Sequence, residues 1–368
     1  AAGARLFSSR AAGIVAGVFA ASQGTLVLAS VLAGPWLWEA LALAGVLYCF
    51  LRWRDESENP AEWLLLGIVT GLAIWLRPIF WWTIVLMPLA FWAWKIKPDP
   101  RRLGLLAAPV VVLAALLMVR NIAADSTPLP MTGHPGWDFV ETTHPGAVLR
   151  PQVPQDEMLL LASEGNFLQS LRLAFTQPDY RGALPEVLER KLREFLGGRD
   201  TTGTFSITYL RHRMEALRLM TLASAVTMAA GWAALLVLLW KRALPRTLLP
   251  VLGVVVLHGL LFRTAGMDRA MLHVVMCLLI GGGFAFVMGE RLRRPALPIA
   301  LVAVWAGMAW LLAVDAQARG TAFRANEFVY ATREFRKRGM EHMANAEARD
   351  YFRLREKESV TGGFWNIQ

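Results

Sequence analysis

The chain has 368 residues, 55% of them hydrophobic, with a mean hydropathy of +0.41 and a formal net charge of +10. Soluble domains hold roughly 45–50% apolar residues, and here the surplus is gathered into long runs, which excludes a soluble enzyme. The Lys and Arg cluster at the ends of those runs, which reads as membrane topology and excludes a nucleic-acid partner. The only two cysteines, Cys49 and Cys277, lie inside apolar runs and exclude a disulfide framework.

Taken in chain order, the apolar runs predict spans over 11–31, 34–51, 63–76, 79–94, 103–119, 217–240, 247–262, 270–289 and 296–314. The expected fold class is therefore an all-α polytopic integral membrane protein of about nine transmembrane helices. Arg77-Pro78 separates the third and fourth runs, and proline disfavours helix at the residue before it, so a tight turn is expected there. Arg5 and Arg10, Arg52 and Arg54, Lys95 to Arg102, Lys241 to Arg246, and Arg291 to Arg294 then all fall on one face. The positive-inside rule assigns that face to the cytoplasm.

This divides the chain into a five-span part (1–119), an extracytoplasmic loop and helical region (120–213), a four-span part (214–314) and a charged amphipathic extracytoplasmic tail (315–368). In the second of these, Phe167, Leu171 and Phe175, and Leu188, Leu192 and Leu196, recur at i+4 and predict two helices. The tail interleaves both charge signs with Phe323, Phe328, Phe335 and Phe352 and is a candidate surface for protein partners.

Many of the 15 Trp lie near run ends, which reads as an aromatic belt, or, for Trp81-Trp82 beside Arg77, as a wall for sugar or lipid. Glu39 is an ionisable group inside an apolar run and stands between a structural and a functional reading. Arg77, Arg120, Arg263 and Arg269 end or open runs on the outer face, where guanidinium groups fork onto phosphate or meet lipid headgroups. His258 and His273 read as packing residues, and Gly281-Gly282-Gly283 as close helix contact. His134 and His144, with Asp138 and Glu141 between them, match no metal-ligand pattern, so no metal site is expected.

The order of short elements resembles the GT-C glycosyltransferases, in particular bacterial relatives of dolichyl-phosphate-mannose protein mannosyltransferase and of the lipid A aminoarabinose transferase. Ala4-Arg5-Leu6-Phe7-Ser8-Ser9-Arg10 is similar to the lead-in to a middle span of that family, and Leu76-Arg77-Pro78 to its Thr-Arg-Pro turn. Arg120-Asn121 running to Thr132-Gly133 resembles its Arg-Asn element, and Lys191 to Phe195 its Lys-x-x-x-Phe element. Asp268-Arg269 is similar to its Arg-Tyr-Arg-x-Pro element, with Ala270 and His273 replacing the aromatic and the proline.

The resemblance covers roughly residues 4 to 290. It implies transfer of a sugar from a polyprenyl-phosphate donor to an acceptor on the outer face of a bacterial cytoplasmic (inner) membrane. Arg77, Arg120, Lys191 and Arg269 would bind the donor phosphate and Trp81 and Trp82 line the lipid entrance. Membrane lipids and the lipid-linked sugar would be the partners, with no cofactor. In that family the catalytic carboxylate follows the first span, so two spans and the general base are expected to precede this sequence. A non-catalytic scaffold or accessory subunit is the alternative; a secondary transporter fits less well, because paired ionisable residues are sparse in the runs.

Overall fold

The computed structural model describes residues 1–31, 35–124, 139–140, 143, 167–197, 224–262, 269–290, 304–308 and 311, with a few positions between 332 and 349. These residues are helical, with no strand among them. Two helices are long and apolar enough to cross a membrane, Pro100–Ala123 and Ala270–Gly289, and five shorter apolar helices accompany them. The expected loop chemistry around His134, Asp138, Glu141 and His144, the elements Thr132-Gly133, Arg263 and Asp268, most of the run 296–314, and most of the tail lie outside the described residues.

The elements are α1 (Ala2–Leu6), α2 (Arg10–Ser22), α3 (Gly24–Val31), α4 (Pro35–Asp55), α5 (Pro60–Leu76), a single 3-10 turn (Pro78–Phe80), α6 (Trp81–Trp94) and α7 (Pro100–Ala123). After them come α8 (Phe167–Thr176), α9 (Pro178–Leu196), α10 (Ser224–Trp240), α11 (Leu248–Phe262) and α12 (Ala270–Glu290). Local chemistry sets several starts. Ser9, Asn59 and Asp99 each accept a backbone N–H from the first turn of the helix they open, and Pro60 and Pro100 occupy the first helical position.

The run 11–31 is two helices rather than one. Gln23 is extended, and its side-chain Oε1 accepts the Leu26 N–H at 2.8 Å, so one residue ends α2 and caps α3. The break at Arg77-Pro78 falls where expected: Arg77 is extended at φ −156° and the 3-10 turn follows.

The centre of the bundle is α12, packed against α2 on one side and α10 on the other. Glycines make these contacts close. A Cβ on Gly281 would lie 2.3 Å from the Ala12 carbonyl oxygen, one on Gly282 would enter the Phe7 ring, and one on Gly283 would meet Ala234. The reading of this triplet as close helix contact holds. A second seam joins α5 to α7, where a Cβ on Gly67 would collide with the Leu106 carbonyl oxygen.

The far side of α7 is bare. Val111, Val112, Leu116, Val119 and Ile122 are all more than half exposed. A core helix of a soluble protein buries such residues, because each exposed Val or Leu forgoes about 1.5–3 kcal/mol of burial. Leu64, Ile68, Leu72 and Leu76 make a similar stripe at i+4 along α5.

One end of the bundle is held by ion pairs. Arg5 reaches Asp55 and Glu56 at 3.5 and 3.4 Å, Arg54 reaches Asp55 at 2.7 Å, Arg102 reaches Glu58 at 2.7 Å, and Arg52 pairs with Glu62. Beneath them Trp53 and Trp63 are fully buried and meet edge to face at 5.2 Å, with Phe50, Phe91 and Trp94 around them. These two Trp form a packed core, which corrects the belt reading for them, whereas Trp38, Trp92 and Trp240 do stay exposed.

Candidate functional site

The opposite end carries the candidate phosphate ligands. Pro78 forces Arg77 out of the helix, so its side chain swings back over α4, where Nε donates to Glu39 Oε1. Glu39 is only 1% exposed, so the pair is a buried carboxylate satisfied by a cation, and Glu39 takes a structural role beside any other.

Lys191 sits in an unexpected place. The buried stripe of α9 is Tyr180, Leu184, Val187, Lys191 and Phe195, a regular i+3/i+4 row into which the lysine falls. Its ammonium donates to the Leu260 carbonyl, one of the last-turn carbonyls of α11 that have no intrahelical donor. One turn on, the Phe195 ring covers Gly259, a position where any Cβ would overlap it.

Arg269, fully buried, opens α12 and donates to the carbonyl of Gly197, the residue that ends α9, at 2.8 Å. Trp232 of α10 donates to Leu196 at 3.4 Å. The tip of α9 is thereby seated among α10, α11 and α12.

Arg120 is exposed in the last turn of α7. The 3-10 turn after Arg77 packs on α11, Lys191 bonds to α11, and Arg269 bonds to the helix that covers α11. Lys191 thus bonds to the last turn of α11 itself, while Arg77 and Arg269 are tied to α4 and to the end of α9, and the 3-10 turn after Arg77 and α9 both pack on α11. Trp81 is half-buried against the main core, while Trp82, 40% exposed, lines an apolar cleft between α4, α6 and α11.

A common thread joins the four cations. Arg77 follows the last residue of α5, Arg120 lies in the last turn of α7, Lys191 bonds to the last turn of α11, and Arg269 caps α9. Positive charge is favoured at helix C-termini, where the macrodipole is negative and carbonyls lack partners. The same arrangement concentrates positive charge at one end of the bundle, which suits a phosphate.

Two features escape the sequence patterns. A buried polar cluster joins the α2–α3 break to the starts of α10 and α12. Gln23 Nε2 donates to Ser224 Oγ at 3.1 Å and lies 3.3 Å from His273 Nε2, and Thr25 Oγ1 lies 3.3 Å from Ser224 Oγ. Its legible signal was a Gln within an apolar run. His273 is a bonded packing residue, as expected.

The second is a small core on α8 and α9, where Tyr180 bonds to Thr143 beside Phe139, Val140 and Ala174. Among the described side chains of α8, Ser170 and Ala174 are buried, while Phe175 of the expected stripe is 58% exposed. Burial pushes the Tyr180 phenol up to about 12, against the smaller lowering effect of its bond to Thr143. A raised acid favours the neutral folded form, so this contribution is whole below the usual Tyr value of about 10 and is lost as pH rises from there toward 12. Alkaline titration followed by tyrosine absorbance is expected to show one late-ionising phenol, coupled to exposure of this core and absent in Tyr180→Phe.

Among the described residues no group of His, Cys, Asp and Glu is placed to hold a metal, and Cys49 and Cys277 are free and buried. No protein-family model, no curated protein and no solved structure matches this chain.

Proposed function

We propose that the chain is a polytopic membrane protein of about nine spans that acts as a GT-C-like glycosyltransferase. It would move a sugar from a polyprenyl-phosphate donor to an acceptor at the end of the bundle that carries Arg77, Lys191 and Arg269. The bare apolar face of α7 supports embedding, because hydrocarbon is the medium in which such a face costs nothing. The ion-pair end, with Arg52, Arg54, Arg101, Arg102, Lys241, Arg242 and Arg246, takes the cytoplasmic side by the positive-inside rule. The catalytic end then faces outward, in a bacterial inner membrane.

The observation that carries the transferase reading is that Arg77, Lys191 and Arg269, the last two buried, sit on or directly beside elements that pack on α11. Cations fixed in a low-dielectric site stabilise the charge that develops on a departing lipid phosphate without reorganising. A second reading, a non-catalytic scaffold or accessory subunit with partners on its tail, is favoured by a specific observation. Each of those cations is engaged by the protein itself, through Glu39, the Leu260 carbonyl or the Gly197 carbonyl.

Lys191→Met keeps the apolar volume of the α9 stripe and removes the charge. In membranes washed with alkaline carbonate, the variant is expected to stay in the pellet like the parent chain and to lose transfer from a radiolabelled polyprenyl-phosphate sugar by about 100-fold or more. Unchanged transfer sinks the catalytic role of Lys191. Loss of both proteins to the supernatant sinks the membrane reading itself.

A further inference from the structure

The apolar cleft between α4, α6 and α11 has a charged residue in its lining at one end only. Leu43, Leu47, Leu86, Val251 and Val254 are among the residues that line it, and Arg246 and Thr247 close it at the ion-pair end. Thr247 Oγ1 is buried and has no hydrogen-bond partner among the described residues, an uncommon state for a hydroxyl. Arg246 is exposed at the mouth and forms no ion pair among the described residues. Lys95, just past the cleft-lining Trp94, is likewise exposed and unpaired among them.

The carboxylates of this end whose side chains are described are already taken: Asp55 and Glu56 by Arg5, Asp55 also by Arg54, Glu58 and Asp99 by Arg102, and Glu62 by Arg52. Positive charge is therefore left over where the cleft opens, and the N-terminus of α11 adds its dipole there.

We propose that this cleft binds one anionic phospholipid of the leaflet at the ion-pair end, with an acyl chain between α4, α6 and α11 and the phosphate at Arg246 and Thr247. The proposal rests on the membrane reading above and is independent of the transferase reading. Dimensions support a single acyl chain. The lining runs from Arg246, just before α11, to Val255 within it, about 14 Å at 1.5 Å per residue, and from Trp82 to Trp94 on α6, about 18 Å. That is about one-half to three-fifths of a hydrocarbon core of about 30 Å, the reach of one leaflet.

Charge decides the orientation. At the far end of the cleft stand Ile79, Phe80, Thr83 and Met271, and the nearest cation in sequence, Arg77, lies outside the lining and is shared with Glu39. An anionic head in the cleft at that end meets one hydroxyl and no cation of the lining, whereas one at Arg246 meets uncompensated charge and a hydroxyl in need of a partner. A donor lipid, with its phosphate at the opposite face, does not meet this requirement.

The test is native mass spectrometry of the full chain in detergent, titrated with dioleoyl-phosphatidylglycerol and, separately, with dioleoyl-phosphatidylcholine. One phosphatidylglycerol is expected to bind first, at least tenfold more tightly than phosphatidylcholine. Arg246→Gln, an exposed substitution that leaves the packing alone, is expected to weaken it tenfold or more. Val254→Trp, which fills the cleft, is expected to abolish this first adduct. Equal binding by both variants and the parent chain overturns the site, as does equal affinity for the two lipids. Displacement of phosphatidylglycerol by polyprenyl phosphate with no effect of Arg246→Gln overturns it too, and assigns the cleft to the donor chain. A chain that stays dispersed in buffer without detergent takes down the membrane reading, and this proposal with it.

Discussion

Gly281→Ala is expected to destabilise the protein by about 1–3 kcal/mol, although alanine is the better helix former by about 0.5–1 kcal/mol. The new Cβ would stand 2.3 Å from the Ala12 carbonyl oxygen and 3.0 Å from the Ala16 Cβ. The first of those neighbours is backbone and cannot rotate aside, so α2 and α12 must separate along their whole seam. Gly289, in the same helix, has nothing within 4 Å of its would-be Cβ and supplies the internal control. Thermal unfolding in detergent is expected to lower Tm for Gly281→Ala and leave it unchanged or raised for Gly289→Ala. Equal Tm values for the two variants would show that the α2–α12 seam is looser than described here.

Arg77→Ala is expected to cost about 3–5 kcal/mol, the penalty for stripping a buried carboxylate of its counter-ion, here Glu39 at 1% exposure. The double variant Glu39→Leu/Arg77→Met is expected to recover most of that loss, because an apolar pair of similar volume needs no desolvation. The comparison also separates the two functional readings. If Arg77 stabilises the leaving phosphate, the double variant is folded and inactive in transfer. If the pair only fastens α4 to the end of α5, whatever function the chain has survives in the double variant. A double variant no more stable than Arg77→Ala would mean that Glu39 is held chiefly by its other contacts.

Much of the helix pattern was legible because its causes are local. Arg77-Pro78 places a break through the geometry of proline, and the caps at Asn59-Pro60 and Asp99-Pro100, equally local though not read from the sequence, start their helices three residues before the runs expected at 63 and 103. The triplet at Gly281 was legible for a related reason, since three glycines in an apolar run have little other use. The Gln23 break was not read from the sequence: its local cap on the Leu26 N–H leaves the rest of the amide to be satisfied by Ser224 and His273, about 200 and 250 residues away.

The candidate site divides the same way. That Arg77, Arg120 and Arg269 stand at one end of the bundle followed from where the apolar runs stop, whereas Lys191 was named only by the family resemblance. Their partners were not legible, since Leu260 offers a carbonyl, and any residue has one. Sequence identifies cations near helix ends but does not distinguish a ligand for phosphate from a cap for a helix. Lys191 did leave a trace, as a lysine in register with Tyr180, Leu184, Val187 and Phe195. On α8 the i+4 periodicity identified the helix and, at Leu171, a residue packed on the small core, but it also named Phe175, which is exposed.

The seam between α2 and α12 also has a meaning in time. Gln23 and His273 are 250 residues apart in the chain, with most of the bundle between them. At ribosomal rates of about 5–20 residues per second, α2 is made some ten to fifty seconds before the helix that covers it exists. Through that interval α2 has only its near neighbours, Ala12 and Ala16 against Gly3 of α1 and Gln23 on the Leu26 N–H, and the face that α12 covers stays open. The α5–α7 seam and the core around Trp53 and Trp63 need no part of α12, so it is the centre of the molecule, and not its ion-pair end, that waits for the last long apolar helix.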